Sequence, residues 1–333
     1  MNRKPLTALL PALLLGGSLV ACTPDDGTSA GDGTDPAADS AGMASAEQAP
    51  AAEASVDDYT ARIEHWRSER VARLQRPDGW LSLVGLHWLE PGRHSIGSGE
   101  GNDIVLAVGP EQLGQIVLED GTVRFTADDD AAVRVDGGVP VGPVVLAPDS
   151  SGTPTQVALE DGRAGFVVIE RSGRLGLRVK DAGAKTLTEF TGIESFPIDP
   201  AWRIDARFEA HPPGKTIPIA SVINTLEPMP NPGAVVFERD GKTHRLQAVD
   251  EGDGQLFLIF ADRTSGKSTY GAGRFLYAEP PAPGSDRVVV DFNRAYNPPC
   301  ALNAYSTCPL PPPENRLDLE VAAGEKTYLG STH

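Results

Sequence analysis

The chain has 333 residues, with 29 Lys and Arg against 46 Asp and Glu, for a formal charge of −17. That balance argues against nucleic acid as a partner, because backbone phosphate is held by an excess of basic side chains. The length allows one large core or two smaller ones beside flanking segments.

The first residues form a targeting segment. Arg3 and Lys4 supply a positive start, Leu6 to Leu15 an apolar run, and Leu19-Val20-Ala21-Cys22 a lipobox. The apolar run is too short to span a bilayer. Residues 1–21 are therefore expected to be a lipoprotein signal peptide, with Cys22 carrying palmitate-type acyl chains, several of which anchor stably where one does not. Thr23 stands where lipoproteins kept at the inner membrane carry Asp. The expected location is the outer membrane, lipid-anchored, on the periplasmic face. Residues 22–55 are Ala, Gly, Ser, Thr, Pro and acid, with too little apolar surface to offset ordering, and are expected to be a disordered acidic tether. Without residues 1–21 the chain has 27 basic and 46 acidic side chains.

The folded region, residues 56–333, opens with one amphipathic helix. Tyr59, Ile63, Trp66 and Leu74 share a face, Ser55 is placed to cap it, Asp57 and Asp58 suit its first turn, and Pro77-Asp78-Gly79 ends it. Beyond residue 80 the helical period gives way to short β-like runs, at 104–108, 115–118, 122–126, 166–170 and 175–179. Arg239-Asp240-Gly241-Lys242 predicts a type I′ hairpin between strands at 234–238 and 243–249, and Glu119-Asp120-Gly121-Thr122 repeats the signal. The predicted fold is mainly β: the helix, a β-sandwich-like half over 56–195 and a second β-rich half over 196–333, with Pro197 and Pro200 at the join.

The C-terminal half concentrates chemistry-bearing side chains. Asp262, Thr264, Tyr270 and Arg274 mix hydroxyls and opposite charges around Gly-rich backbone; Asp291, Asn293, Arg294, Tyr296 and Asn297 precede a double proline; Glu314, Asn315 and Arg316 follow. Such a set suits a hydrogen-bond network that locks an irregular loop. It also suits a pocket in which an arginine grips an anion while Asp291 or Glu314 acts as acid, base or acceptor. With Cys22 taking lipid, Cys300 and Cys308 remain as a pair in an oxidising compartment, and a disulfide between them is expected.

Other signals are weaker. Ala261 to Ser268 fits a relaxed phosphate-loop spacing, but the Gly-rich strand expected over Tyr270 to Phe275 replaces the helix that such a loop must open. His87 reads as a half-buried ring satisfied by a backbone carbonyl. No His or Cys spacing assembles a metal site, no Gly-x-Ser-x-Gly elbow is present, and no cofactor is implied.

Three separated stretches, Gly79 to Leu89, Thr269 to Leu276 and Asp291 to Arg316, resemble a family of uncharacterised bacterial lipoproteins, domain of unknown function 1684, over about residues 57–330. The resemblance implies no activity. Ile96-Gly97-Ser98-Gly99 through Leu106 is similar to the opening of forkhead-associated sandwich domains; those place Arg after the first Gly where this chain has Ser98, so the likeness implies a fold and not phosphopeptide binding. The function expected is non-catalytic binding of an envelope ligand or protein partner. The alternative is a cofactor-free periplasmic hydrolase using carboxylates and arginines between 262 and 316.

Overall fold

The computed structural model describes residues 55–159 and 162–330. The expected signal peptide and Cys22 lie outside the described residues, as does the tether up to its last residue, Ser55.

Helix α1 (Val56–Leu74) starts where its local chemistry says it should. The Ser55 hydroxyl accepts from the Asp58 amide at 3.1 Å, Asp57 and Asp58 occupy the positive first turn, and Arg73 lies in the last. Tyr59, Ile63 and Leu74 are buried. The chain then folds back tightly across the helix end: a Cβ at Gly79 would lie 3.0 Å from the Arg73 carbonyl oxygen.

The first β half contains β1 (Leu83–Trp88), β2 (Gly92–Gly97), β3 (Ile104–Val105), β4 (Gly114–Glu119), β5 (Thr122–Ala127), β6 (Val133–Val135), β7 (Val144–Leu146), β8 (Val157–Leu159), β9 (Ala164–Arg171) and β10 (Arg174–Asp181). They form two five-stranded sheets, β1-β10-β9-β8-β6 and β3-β2-β4-β5-β7, antiparallel apart from the β2–β3 pair. Their inner faces share one core, where Ile96, Ile116 and Phe125 of one sheet meet Phe166, Val168 and Leu177 of the other. This is a sandwich, and alternation explains it: residues two apart on a strand share a face. On β10, Leu175, Leu177 and Val179 point into that core. Arg174, Arg178 and Lys180 therefore lie on the outer face.

The second half follows a short helix α2 (Lys185–Thr188) with β11 (Arg203–Ala210), β12 (Thr216–Ala220), β13 (Leu226–Pro230), β14 (Gly233–Arg239), β15 (Lys242–Ala248), β16 (Leu256–Phe260), β17 (Arg274–Ala278) and β18 (Arg287–Asp291). A sheet of order β15-β14-β11-β18 is accompanied by two hairpins, β12-β13 and β16-β17. The fold is mainly β, and no sheet closes into a barrel among the described residues. The first core draws on residues 89–179 and the second on residues 202–323. A smaller cluster of Leu74, Leu81, Phe190, Leu302 and Tyr328 ties the end of α1 to the C-terminal segment.

Both Asp-Gly turns take the left-handed pairs that a type I′ hairpin requires, with φ of 49° and 71° at Asp120-Gly121 and 52° and 70° at Asp240-Gly241. Ser172-Gly173, between β9 and β10, does the same at 51° and 73°. Two expectations shift. The strand predicted over 104–108 ends at Val105, because Gly109 at φ 112° and Pro110 turn the chain inward toward Leu113. The strand predicted from Tyr270 begins at Arg274, because Gly273 is left-handed at φ 98° and crosses the Phe260 carbonyl too closely for any side chain.

Candidate functional site

A cleft of about 1490 Å³ runs beside α1, walled by the outer face of the β1-β10-β9 sheet, by β17 and β18, and by the loop that follows them. Its lining carries nine Arg or Lys against six Asp or Glu, in a chain whose overall charge is −17. A basic concavity on an acidic protein focuses potential toward anions.

At one end, Asp291 accepts from the Tyr59 hydroxyl at 2.9 and 3.0 Å and caps the turn that follows through the Asn293 amide. Burial, then the Asp291 charge, raises the Tyr59 pKa, so the phenol keeps its proton. Arg294 is exposed and lies 5.4 Å over the Trp66 ring. Tyr296, stacked on Tyr277 at 6.4 Å with the Arg70 guanidinium 4.3 Å from its ring centre, makes an aromatic wall. Burial pushes its phenol up to about 12. Tyr277 donates to Glu251 at 2.6 Å.

The other end is built on β10. Arg178 is 6% exposed, its guanidinium 5.5 Å from the Trp80 ring, and Nη2 donates to the Thr307 hydroxyl at 3.3 Å. Among the described residues no carboxylate pairs with it, and its buried Nε has no acceptor. Desolvation, and then the nearby Arg171, pulls its pKa down to about 10. Arg171 is neutralised by Asp149 at 2.8 Å. Lys180, two residues along the same face, donates to the Asp78 carbonyl at 2.6 Å, and burial lowers its pKa.

The residues singled out in the C-terminal half divide. Arg274 is fully buried, pairs with Asp262 at 2.8 Å, and donates to the carbonyls of Val321, Ala323 and Glu325. Asp262 also caps its own turn, accepting from the Thr264 amide at 2.6 Å. Asn315 bridges Gln247 and Ile259, donating to both carbonyls at 2.9 Å. Asn293 holds Tyr59 and the Asp199 carbonyl at 2.8 Å. Asn297 accepts from Arg70 through its carbonyl and donates its amide to Glu325 at 2.7 Å, and Glu325 forms an ion pair with Arg70. These groups lock backbone. Tyr270 reaches the Cys300 carbonyl at 3.3 Å. Glu314 and Arg316 are exposed and stand outside the cleft. Of the set, Asp291, Arg294, Tyr296 and Asn297 line it.

Cys300 and Cys308 are buried thiols facing each other across their loop. Each backbone amide donates to the other's sulfur, at 3.2 and 3.3 Å. The Cys308 hydrogen bond lowers the Cys300 pKa, and the same contact raises that of Cys308. The phosphate-loop spacing at 261–268 is a run of turns with no helix after it. His87 departs from expectation, since its Nε2 is buried without a partner; desolvation lowers its pKa and keeps the ring neutral. No group of His, Cys, Asp or Glu that could hold a metal exists among the described residues.

Tyr59, Trp80, Arg178 and Lys180 were not singled out as site residues from the sequence, which placed Tyr59 only on the buried face of the helix and Trp80 only in a family motif. A signal for two of them was present: in Arg174-Leu-Gly-Leu-Arg-Val-Lys180 the apolar residues alternate, which sets Arg178 and Lys180 together on the opposite face.

No curated protein matches the chain. An uncharacterized protein of Haloarcula marismortui, solved by solution NMR, is similar at 30% identity over 43% of this chain and 80% of its own, with a TM-score of 0.36. Residues 188–326, a narrower span than the motifs suggested and one that excludes the sandwich, match the family described as protein of unknown function, DUF1684.

Proposed function

We propose that this chain is an outer-membrane lipoprotein whose folded region binds an anionic envelope ligand without catalysis. The observation that carries the binding reading is the cleft beside α1, with its excess of basic over acidic lining and its aromatic wall of Trp66, Tyr277 and Tyr296. Ligand sites are typically concave, mostly apolar, and carry a few convergent polar groups. The anchor is supported by Arg3, Lys4 and the lipobox ending at Cys22. Native mass spectrometry of the full chain, extracted from its own envelope in detergent, tests the binding. We expect a bound anionic mass that is lost in the Arg62→Glu, Arg294→Glu double variant, whereas an increment unchanged in that variant counts against the cleft. Radiolabelled palmitate incorporated by the wild type and not by Cys22→Ser tests the anchor.

One observation favours a second reading, hydrolysis. Asp291 opens to the cleft beside Tyr59, although Asp262 and Arg274 are committed to a closed pair. Slow breakdown of the co-purified ligand, abolished by Asp291→Asn, would select it.

A further inference from the structure

We propose that Arg178 and Lys180, beside Trp80, form a subsite for the dianionic phosphoryl group of a phosphomonoester, a refinement that rests on the cleft being a ligand site. The protein leaves positive charge unanswered at this end. Arg76 is paired with Asp78 and Arg171 with Asp149, and these two carboxylates act on Lys180 and Arg178 only at longer range; among the described residues, neither Arg178 nor Lys180 has a carboxylate within ion-pair distance. A buried guanidinium without a counter-ion is costly, because desolvation is repaid only by a well-placed opposite charge and filled hydrogen bonds. Among the described residues Arg178 has one acceptor, the Thr307 hydroxyl, and that oxygen also receives a bond from Arg171 at 3.2 Å.

The geometry selects the ligand class. Arg178 and Lys180 stand two residues apart on one strand face, so their side chains project the same way into the cleft. Two unmatched positive charges suit a phosphomonoester, which carries about −1.5 to −2 at neutral pH, better than the single charge of a carboxylate or phosphodiester. A guanidinium fork beside an ammonium is a recurrent phosphate-binding pair. The indole of Trp80, 41% exposed, borders the same end and offers a flat surface to the remainder of the ligand.

Inorganic phosphate and glycerol phosphate are the probes, titrated into the full chain in detergent at constant ionic strength. Binding is read by calorimetry and by the side-chain Nε–H resonance of Arg178. We expect saturable binding of both, with affinity lowered about tenfold or more in Arg178→Met, as follows from losing a charge-assisted hydrogen bond. Lys180→Met should weaken binding as well, and Arg134→Gln, the same charge change on the sandwich surface, should not. Should Arg178→Met fail to fold, Lys180→Met carries the test alone. Glycerophosphoglycerol, a diester equivalent to a lipid headgroup, should bind more weakly than the monoester. Equal or tighter binding of the diester overturns the dianion assignment. An absence of saturable phosphate binding, or unaltered affinity in both variants, overturns the subsite. A co-purified cleft ligand without phosphorus would sink the subsite and leave the binding cleft intact.

Discussion

Among the described residues two arginines are deeply buried, and their surroundings are opposite. Arg274, at the start of β17, has a carboxylate and three carbonyl oxygens around its two terminal nitrogens, and only its Nε lacks an acceptor. Arg178, on β10, has one hydroxyl, no carboxylate at ion-pair distance among the described residues, and a cleft in front of it. Both lose hydration, and burial lowers both pKa values. Only the first is compensated from within the fold. The contrast teaches that a buried charge is informative through what answers it: a closed set of partners marks a clasp, and an open one marks a place for something else.

Three measurements can break or sharpen that contrast. The largest effect is expected at the clasp. Arg274→Met leaves Asp262 and three carbonyls buried without their donor and should cost about 3–5 kcal/mol in denaturant unfolding. A loss below about 1 kcal/mol would mean that the network is not holding the C-terminal segment.

Next is the loop that carries Thr307 to Arg178. If the chain faces an oxidising compartment, as the proposed anchor implies, Cys300 and Cys308, already placed thiol to thiol, are expected to be bridged. Replacing both with Ser should then lower stability by about 2 kcal/mol, since the loop closed is short. A melting temperature identical with wild type under oxidising conditions would remove the bridge from consideration, as would a wild-type value indifferent to reductant.

The smallest stability change belongs to the open site. Removing the uncompensated charge by Arg178→Met should alter stability by less than about 1 kcal/mol, or raise it, because no buried carboxylate is left behind. A loss as large as that of Arg274→Met would make the two arginines alike and dissolve the comparison.

Much of the fold was legible because it rests on short-range chemistry. Ser55, Asp57 and Asp58 specify the start of α1 within four residues. Asp120-Gly121 and Asp240-Gly241 specify hairpins within two, through their tolerance of positive φ. The site was legible only in part. Asp291, Arg294, Tyr296 and Asn297 belong to a dense polar run that draws notice, and they do line the cleft. Glu314 and Arg316 drew notice on the same grounds and face solvent elsewhere. Composition marks where polar side chains collect, not which way they point.

Helix start, turn type and the alternation of β10 were thus set by the sequence itself, since each depends on residues a few positions apart. The tertiary structure alone decided the partners. Tyr59 reaches Asp291 across 232 positions, and Arg178 reaches Thr307 across 129. No local period encodes such pairings, because they arise when packed elements bring distant segments together. The same packing supplies Arg274 with its carbonyls and leaves Arg178 facing the cleft, so the distinction between clasp and candidate site belongs to the assembled fold.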